Sequence, residues 1–378
     1  MVASPTHIWL REETKPFEHR AALSPDVCCQ LLARGFQVTV ERSEQRIFDD
    51  AEYAQAGCTL VPGGLWKTEA PKDAYITGLK ELPENDESPL PHAHIMFAHC
   101  FKNQGGWKEV LGRFDRGQGT LLDLEFLNDS NGRRVAAFGF HAGFAGAAVG
   151  IDVWCHQHSA QAAQPFPVVK PYPNEDALIS ELRAKLQATV ARVGRYPRLM
   201  VIGALGRCGR GALDLARKVG IPEDQLLKWD MAETAKGGPF HEIVDSDIFV
   251  NCIYLTHKIP PFVTQAQLDA PSRQLSVIVD VSCDTTNPNN PIPFYNVNTT
   301  FDHPTLAVPT QHPSQKPVDI VAIDHLPTML PRESSHAFST DLLPSLLELP
   351  ERHSARVWTE AEALFRRKVA DMKQEDAL

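Results

Sequence analysis

Short apolar runs alternate with amphipathic segments along most of the chain, and the spacing of that alternation predicts the fold. In the first third, HIWLR (7–11), QVTVE (37–41) and TLVP (59–62) read as strands. AYITGLK (74–80), HIMFAHC (94–100) and TLLDLEFL (120–127) are further apolar runs. Between them, SPDVCCQLLARG predicts a helix with Ser24 as N-cap, Pro25 at its first position and Gly35 past its end. DDAEYAQAG (49–57) predicts a shorter helix, and GWKEVLGRF (106–114) is amphipathic. Strands that alternate with helices make βαβ units around a largely parallel sheet.

Residues 159–176, with four prolines, read as a surface connection. A second alternating series follows: RLMVIGA (198–204), a helix ending at Gly220, LLKWD (226–230), DIFVNCIY (247–254), LSVIVDVSC (275–283), TLAVPT (305–310) and VDIVAID (318–324). Two helical segments, about 333–349 and 354–372, end the chain and are expected to pack back on the first domain. The predicted architecture is α/β, with two Rossmann-like, doubly wound domains whose parallel sheets face a central cleft. Residues 1–135, completed by 330–378, form one domain and residues 136–329 the other.

Composition narrows the class. With 378 residues and 43% hydrophobic content the chain can bury two cores. The apolar stretch VAAFGFHAGFAGAAVGIDVW (135–154) carries His141 and Asp152 among many Gly and Ala, so it reads as a buried helix with close contacts and not as a membrane span. A formal net charge of −10 without a basic stripe excludes nucleic acid as partner and means that any anionic ligand is held by local cations. Eight cysteines lack C-x-x-C spacing, and the pair His92 and His94 reads as a solvated loop pair; no metal site is expected. No secretory signal opens the chain and its final EDAL is no peroxisomal tripeptide, so a cytoplasmic, monomeric enzyme is expected.

Ligands of open α/β sheets bind beyond the carboxyl ends of the strands. HIWLR runs into Lys15, Glu18 and Arg20; AYITGL ends on Lys80; HIMFA ends on His99, with Lys102 beyond; TLLDL ends on Glu125. Charged residues end most strands because loops meet water. Four strands that bring cations, carboxylates and an imidazole to one edge nevertheless make a candidate site. In the second domain VIGALGRCGRG sets Gly203, Gly206 and Gly209 between a strand and a helix, where a glycine turn and helix dipole suit a pyrophosphate. Asp230 ends the next strand, placed to accept from ribose hydroxyls and to repel a 2′-phosphate, so NAD is expected over NADP. Cys208 in the turn and Cys252 at the end of DIFVNC lie on strands expected to be neighbours; free thiols are the preferred reading and a redox pair the alternative.

In this order EETKPFEHRAALSP (12–25), GLKELP (78–83), HAHIMFAHCFK (92–102), DLEFL (123–127), GRRVAAFGFHAGFAGAA (132–148), VIGALGRCG, KWD, GGPF (237–240), VDVSCDTTNPNNPIP (279–293) and IDHLPTMLPRE (323–333) resemble the NAD-dependent, L-lysine-forming saccharopine dehydrogenase family. The resemblance runs from about residue 7 to 350; alanine dehydrogenase and the nucleotide-binding subunit of transhydrogenase are similar more distantly. Residues 311–317 depart from the family pattern. The resemblance implies cleavage of saccharopine, with NAD and water, to L-lysine and 2-oxoglutarate, the last step of the aminoadipate route. It implies Lys80 as general base and His99 as general acid/base. Lys15, Glu18, Arg20, Lys102, Gln104, Glu125, Arg134 and Phe138 would attend the substrate. Arg133, Leu205, Arg207, Thr234, Tyr254, Val281 and Ile323, Asp324, His325 and Leu326 would join the three glycines and Asp230 around NAD.

The residues suit that chemistry. A tricarboxylate inside an acidic protein needs clustered cations, which Lys15, Arg20, Lys102, Arg133 and Arg134 offer. A lysine serves as base if burial or neighbouring cations depress its pKa, and Glu18 and Glu125 counterbalance the cations. Two other readings are a small-substrate enzyme of the alanine dehydrogenase type and an NAD(H) sensor without turnover. The cation set argues against the first, and Lys80 with His99 against the second.

Overall fold

A computed structural model describes residues 5–83, 85–102, 104–285, 287–311 and 317–376; most of the divergent segment 311–317 lies outside them. The chain divides into two compact units, Met1–Ala137 with Pro331–Leu378, and Phe138–Leu330.

The first unit is built on a six-stranded parallel sheet. Its strands are β1 (His7–Leu10), β2 (Gln37–Glu41), β3 (Thr59–Val61), β4 (Tyr75–Thr77), β5 (Ala93–Met96) and β6 (Thr120–Asp123). Its helices are α1 (Pro25–Ala33), α2 (Asp50–Gln55), α3 (Trp66–Glu69) and α4 (Trp107–Gly117), with the chain's last two, Pro331–Leu346 and Arg356–Asp376. Strand order is β3-β2-β1-β4-β5-β6. The order reverses between β1 and β4, where such sheets open a ligand crevice. Ser24 caps α1 by accepting from Val27 N, and Gly35, at φ +85°, ends it as the sequence predicts. The run TLLDLEFL is a strand only to Asp123. That side chain accepts from Glu125 N and turns Leu124–Phe126 into a 3-10 helix. His92 and His94 are not solvated: both are buried, and the His94 ring sits edge-on to Trp66 and Phe114, with centroids 5.1 and 5.3 Å away.

The second unit carries strands β7 (Leu199–Ile202), β8 (Leu226–Trp229), β9 (Ile248–Asn251), β10 (Val277–Asp280), β11 (Leu306–Val308) and β12 (Val318–Val321), in the order β11-β12-β10-β9-β7-β8. All pair parallel except β11, which runs antiparallel to β12 at the edge, so the sheet is largely parallel as expected. Its helices are α5 (Gly139–Gln157), α6 (Glu175–Val193), α7 (Arg207–Val219), α8 (Met231–Thr234), α9 (His241–Val244) and α10 (Gln265–Leu268).

Helix α5 is the apolar stretch rich in Gly and Ala, and its small residues are contacts. A Cβ on Gly143 would lie 1.8 Å from the Cys208 carbonyl oxygen, and one on Gly211 would lie 1.9 Å from that of Phe140. Thus α5 and α7 touch backbone to backbone. No helix among the described residues is long and apolar enough to cross a membrane. Helix α6 stands where the apolar pattern predicts no element. Asn174 caps it and its buried Leu178, Ile179, Leu182, Leu186 and Thr189 follow helical spacing.

Candidate active site

In the first unit the carboxyl ends of β1, β4, β5 and β6 are adjacent in the sheet, so the residues beyond them gather at one edge. Lys80 follows β4 and is half-buried. Burial, then the charges of Arg20 and Lys15, push its pKa down, while Glu18 and Glu81 oppose the shift. Arg20 is no free cation. Its Nε and Nη2 donate to the two carboxylate oxygens of Glu18 at 2.8 and 2.7 Å, and both side chains are buried. Burial works against ionisation of Glu18, but the Arg20 guanidinium and Lys80 hold its pKa below the ordinary value.

His99 follows β5 and takes the left-handed backbone conformation, φ +48°, which a non-glycine residue adopts at a cost. Its Nδ1 hydrogen-bonds Glu81 Oε1, and Lys15 Nζ stands 3.7 Å from Glu81 Oε2. Burial would raise the Glu81 pKa, yet His99 and Lys15 bring it down to about 2. An ionised carboxylate only accepts, so Nδ1 carries the hydrogen, and the tautomer this leaves has its lone pair on Nε2. Asp123, pushed up by burial to about 6, accepts from Ala98 N at 3.3 Å and Glu125 N at 2.8 Å, which ties the segment before His99 to the end of β6. Glu125 in turn receives Lys102 Nζ at 2.8 Å and Arg134 Nη2 at 3.2 Å, and Gln104 Oε1 accepts from Lys102 N. Lys15, Glu81, His99 and Gln104 line a cavity of about 980 Å³ that extends to Trp107 and Arg113; Lys80, Glu18 and Arg20 are outside its lining. Lys15, Arg20, Lys80, Lys102 and Arg134 are gathered at this edge with the carboxyls of Glu18, Glu81, Asp123 and Glu125.

In the second unit the strand order reverses at β7 and β9, and the glycine turn follows β7. Gly203 takes φ +88°, and Gly203 N and Ala204 N donate to Trp229 O at 2.9 and 3.0 Å. A Cβ on Gly209 would lie 2.2 Å from Gly203 O, so the third glycine lets α7 start directly against the turn. Gly206 is the N-cap of α7, with Arg207 its first residue. Asp230 follows β8 as the N-cap of α8; its Oδ1 accepts from Met231 N and its Oδ2 from Leu205 N, both at 2.9 Å, and Thr234 Oγ1 donates to its carbonyl. Leu205, Met231 and Tyr254 are 78%, 80% and 57% exposed, large apolar surfaces left beside the turn. Tyr254 donates to Asp284 Oδ2 at 3.1 Å, and Val281 packs near Gly146. Ile323 and Leu326 are buried and leave only backbone to a ligand, whereas Asp324 is exposed and holds His325 Nδ1 at 2.5 Å. These groups fit a dinucleotide: backbone N–H groups and a helix start for phosphate, a carboxylate for ribose, apolar side chains for a base.

Arg133 and Phe138 stand on either side of the point, between Ala137 and Phe138, where the chain passes from one unit to the other. Arg133, assigned to the cofactor, is exposed in the first unit, where its N donates to Asp129 Oδ1. Phe138, assigned to the substrate, caps α5 in the second unit. Glu81 is absent from the residues the sequence singles out, although it follows the presumed base directly; it lies one position past the strand end that the ligand rule picks. Cys208 and Cys252 are both free thiols, and Cys252 is raised well above the ordinary thiol value by its hydrogen bond with Cys208 and by burial. Among the described residues no group of three or more His, Cys, Asp or Glu is placed to hold a metal.

The N-terminal domain model of the alanine dehydrogenase/PNT family matches residues 9–145, and the C-terminal domain model matches 230–373. A solved L-alanine dehydrogenase aligns with TM-score 0.63 over 96% of this chain and 94% of its own, at 16% identity, which shows a shared fold. The chain is 59% identical to the saccharopine dehydrogenase (NAD(+), L-lysine-forming) of Emericella nidulans over 97% of this chain and 98% of that one. It is also 59% identical to the enzyme of the same name from Schizosaccharomyces pombe, over 95% and 97%. Identity at that level from end to end, over a site built as above, shows that the chain belongs to the L-lysine-forming, NAD(+) saccharopine dehydrogenase family.

Proposed function

We propose that this chain cleaves L-saccharopine with NAD and water to L-lysine and 2-oxoglutarate, the last step of lysine synthesis by the aminoadipate route. The first unit serves the substrate and the second the nucleotide. The observation that carries this reading is Lys80: a half-buried lysine with a depressed pKa, among Arg20, Lys15 and Glu18, on the same sheet edge as the Glu81–His99 pair.

Hydride can leave the glutaryl carbon only when the secondary amine is neutral, and Lys80 accepts its proton. Acceptance of the hydride is the chemistry NAD supplies when bound; the turn at Gly203, Gly206 and Gly209, with Leu205, Arg207, Asp230, Thr234, Tyr254, Val281 and the 323–326 backbone, would hold it. The imine left on the substrate is attacked by water. His99, with Nε2 as its free acceptor, takes a proton from that water and returns one to the departing lysine amine. Arg20, Lys102, Arg134 and Lys15 balance the substrate carboxylates, with Glu18 and Glu125 setting how much positive charge remains. Arg133 and Gln104 complete the contacts, and Phe138 adds an apolar face. We read the enzyme as a cytoplasmic monomer with Cys208 and Cys252 reduced. Thiol titration of the denatured, unreduced protein should find all eight cysteines, and a titre two lower, with a peptide linking Cys208 to Cys252 in an unreduced digest, would reveal a bond between them.

The deciding experiment follows NADH absorbance on adding saccharopine with NAD, with NADP in place of NAD, and with alanine in place of saccharopine. Reduction of NAD by saccharopine alone is expected. Folded protein that reduces NAD with alanine and not with saccharopine would overturn the proposal.

A further inference from the structure

At the crossover point of the first sheet, β1 runs out into Arg11, Glu12 and Glu13 beside the exit of β4 into Gly78, Leu79 and Lys80. Arg11 and Glu13 are buried and form an ion pair, Nη1 to Oε2, at 3.3 Å. Glu13 Oε1 accepts from Leu79 N at 2.6 Å and Oε2 accepts from Lys80 N at 2.9 Å. Arg11 Nη2 donates to the carbonyl of Lys80, and Nη1 donates to Glu12 O at 3.0 Å. Both polar groups of the Lys80 backbone are therefore held by one ion pair from the neighbouring strand. The guanidinium lies across Gly78, where a Cβ would meet Arg11 Cζ at 2.4 Å. On the other side Gly78 N donates to Ile95 O and Phe97 N to Leu79 O.

A buried ion pair is a poor device for stability alone, because desolvation offsets most of its attraction. Here its oxygens and nitrogens are used on the two peptide groups that carry the lysine. The pair is neutral as a whole. The depressed pKa of Lys80 comes instead from burial, Arg20 and Lys15, so charge and position are set by different residues.

We propose that Arg11 and Glu13 are positioning residues for Lys80: they clamp its backbone beyond the end of β4 so that its amine is delivered at a fixed place on the sheet edge. This rests on the reading of Lys80 as the base. A misplacement of about 1 Å in a catalytic group costs roughly 10²-fold in rate, so a loosened clamp is measurable.

The test uses the full chain with Glu13→Gln, which keeps the shape and removes the charge and one of the two acceptors, and Gly78→Ala, which keeps both charges and displaces the guanidinium. Saccharopine-dependent NADH formation gives kcat and KM. Independently, the pH dependence of Lys80 acetylation by acetic anhydride, read by mass spectrometry, reports the amine without turnover. In both variants kcat should fall roughly 10- to 100-fold with the KM for NAD unchanged, and in Gly78→Ala, which keeps every charge, the acetylation midpoint of Lys80 should move because the amine leaves its place beside Arg20 and Lys15. If one variant fails to fold, the other decides. A lower melting temperature with wild-type kcat and an unmoved midpoint would reduce Arg11 and Glu13 to fold stabilisers and overturn the proposal. Should the wild-type chain show no turnover, the catalytic reading fails, while the acetylation midpoint still judges the clamp.

Discussion

Glu81 accepts a hydrogen bond from His99 Nδ1 on one oxygen and faces Lys15 with the other. Glu81→Gln removes the charge and lets the amide either accept or donate, so the imidazole tautomer is no longer enforced. A loss of roughly 10- to 100-fold in kcat is expected, with NAD binding unchanged. The stability effect has a defined sign. The folded pKa, about 2, is depressed, so the contribution is present above the unfolded value, near 4.3, and is lost as pH falls from there toward 2. The full shift corresponds to at most about 3 kcal/mol, and solvent screening of this partly exposed group leaves about 1–2 kcal/mol. Melting curves should separate the two proteins most at pH 6 and draw together as pH falls from about 4 toward 2.

Lys80→Met should separate activity from stability. A lysine with a depressed folded pKa is carried charged at a cost below that pKa, and the cost disappears as pH rises through it. Removing the amine abolishes turnover, at least about 10³-fold, while the melting temperature at pH 7 rises with a gain of about 1 kcal/mol. Loss of both activity and stability would show that the charge environment of Lys80 is favourable.

His94 is wholly buried and neither ring nitrogen has a hydrogen-bond partner among the described residues; burial lowers its pKa well below the ordinary value. The unfolded chain therefore takes up a proton near pH 6.5 that the folded chain refuses, and stability falls by about 1.4 kcal/mol per unit below that. His94→Leu removes this slope. Urea midpoints at pH 7 and pH 5 should differ less in the variant, by about 2 kcal/mol of unfolding free energy.

Asp230→Ser keeps a capping oxygen for α8 but cannot reach Leu205 N. The KM for NAD should rise roughly 10- to 100-fold, in keeping with loss of hydrogen bonds to a charged acceptor, and kcat at saturating NAD should stay within about 2-fold. A fall in kcat alone would place Asp230 outside the nucleotide contacts.

Strand ends are the legible part of this chain. The apolar runs locate β1, β4, β5, β6, β7 and β9, and the rule that ligands gather beyond them picks out Lys80, His99 and Glu125 without any knowledge of contacts. Pairing across strands is what a linear pattern does not carry. The Glu18–Arg20 fork lies in irregular backbone, where spacing has no periodic signal, and the Arg11–Glu13 pair meets Lys80 only because β1 and β4 are neighbours. The antiparallel β11 is hidden for the same reason, since a three-residue strand states no direction. Helix α6 has a cap, a helical stripe and a closing glycine, all readable, but the proline-rich stretch before it masks its start. The short turn that stops β6 at Asp123 depends on one side chain's choice between pairing and capping.

The first unit is interrupted in sequence by the whole of the second. Helix Arg356–Asp376 brings Trp358, Phe365 and Met372 into buried positions, with Phe365 5.8 Å from Phe114. During synthesis the second unit has all its residues once position 330 has been added, whereas the sheet edge that carries Lys80 and His99 still lacks part of its core. The half of the protein made first is thus the half finished last, and a chain cut short by a few dozen residues would keep its glycine turn while its proton-transfer groups sit on an incomplete support.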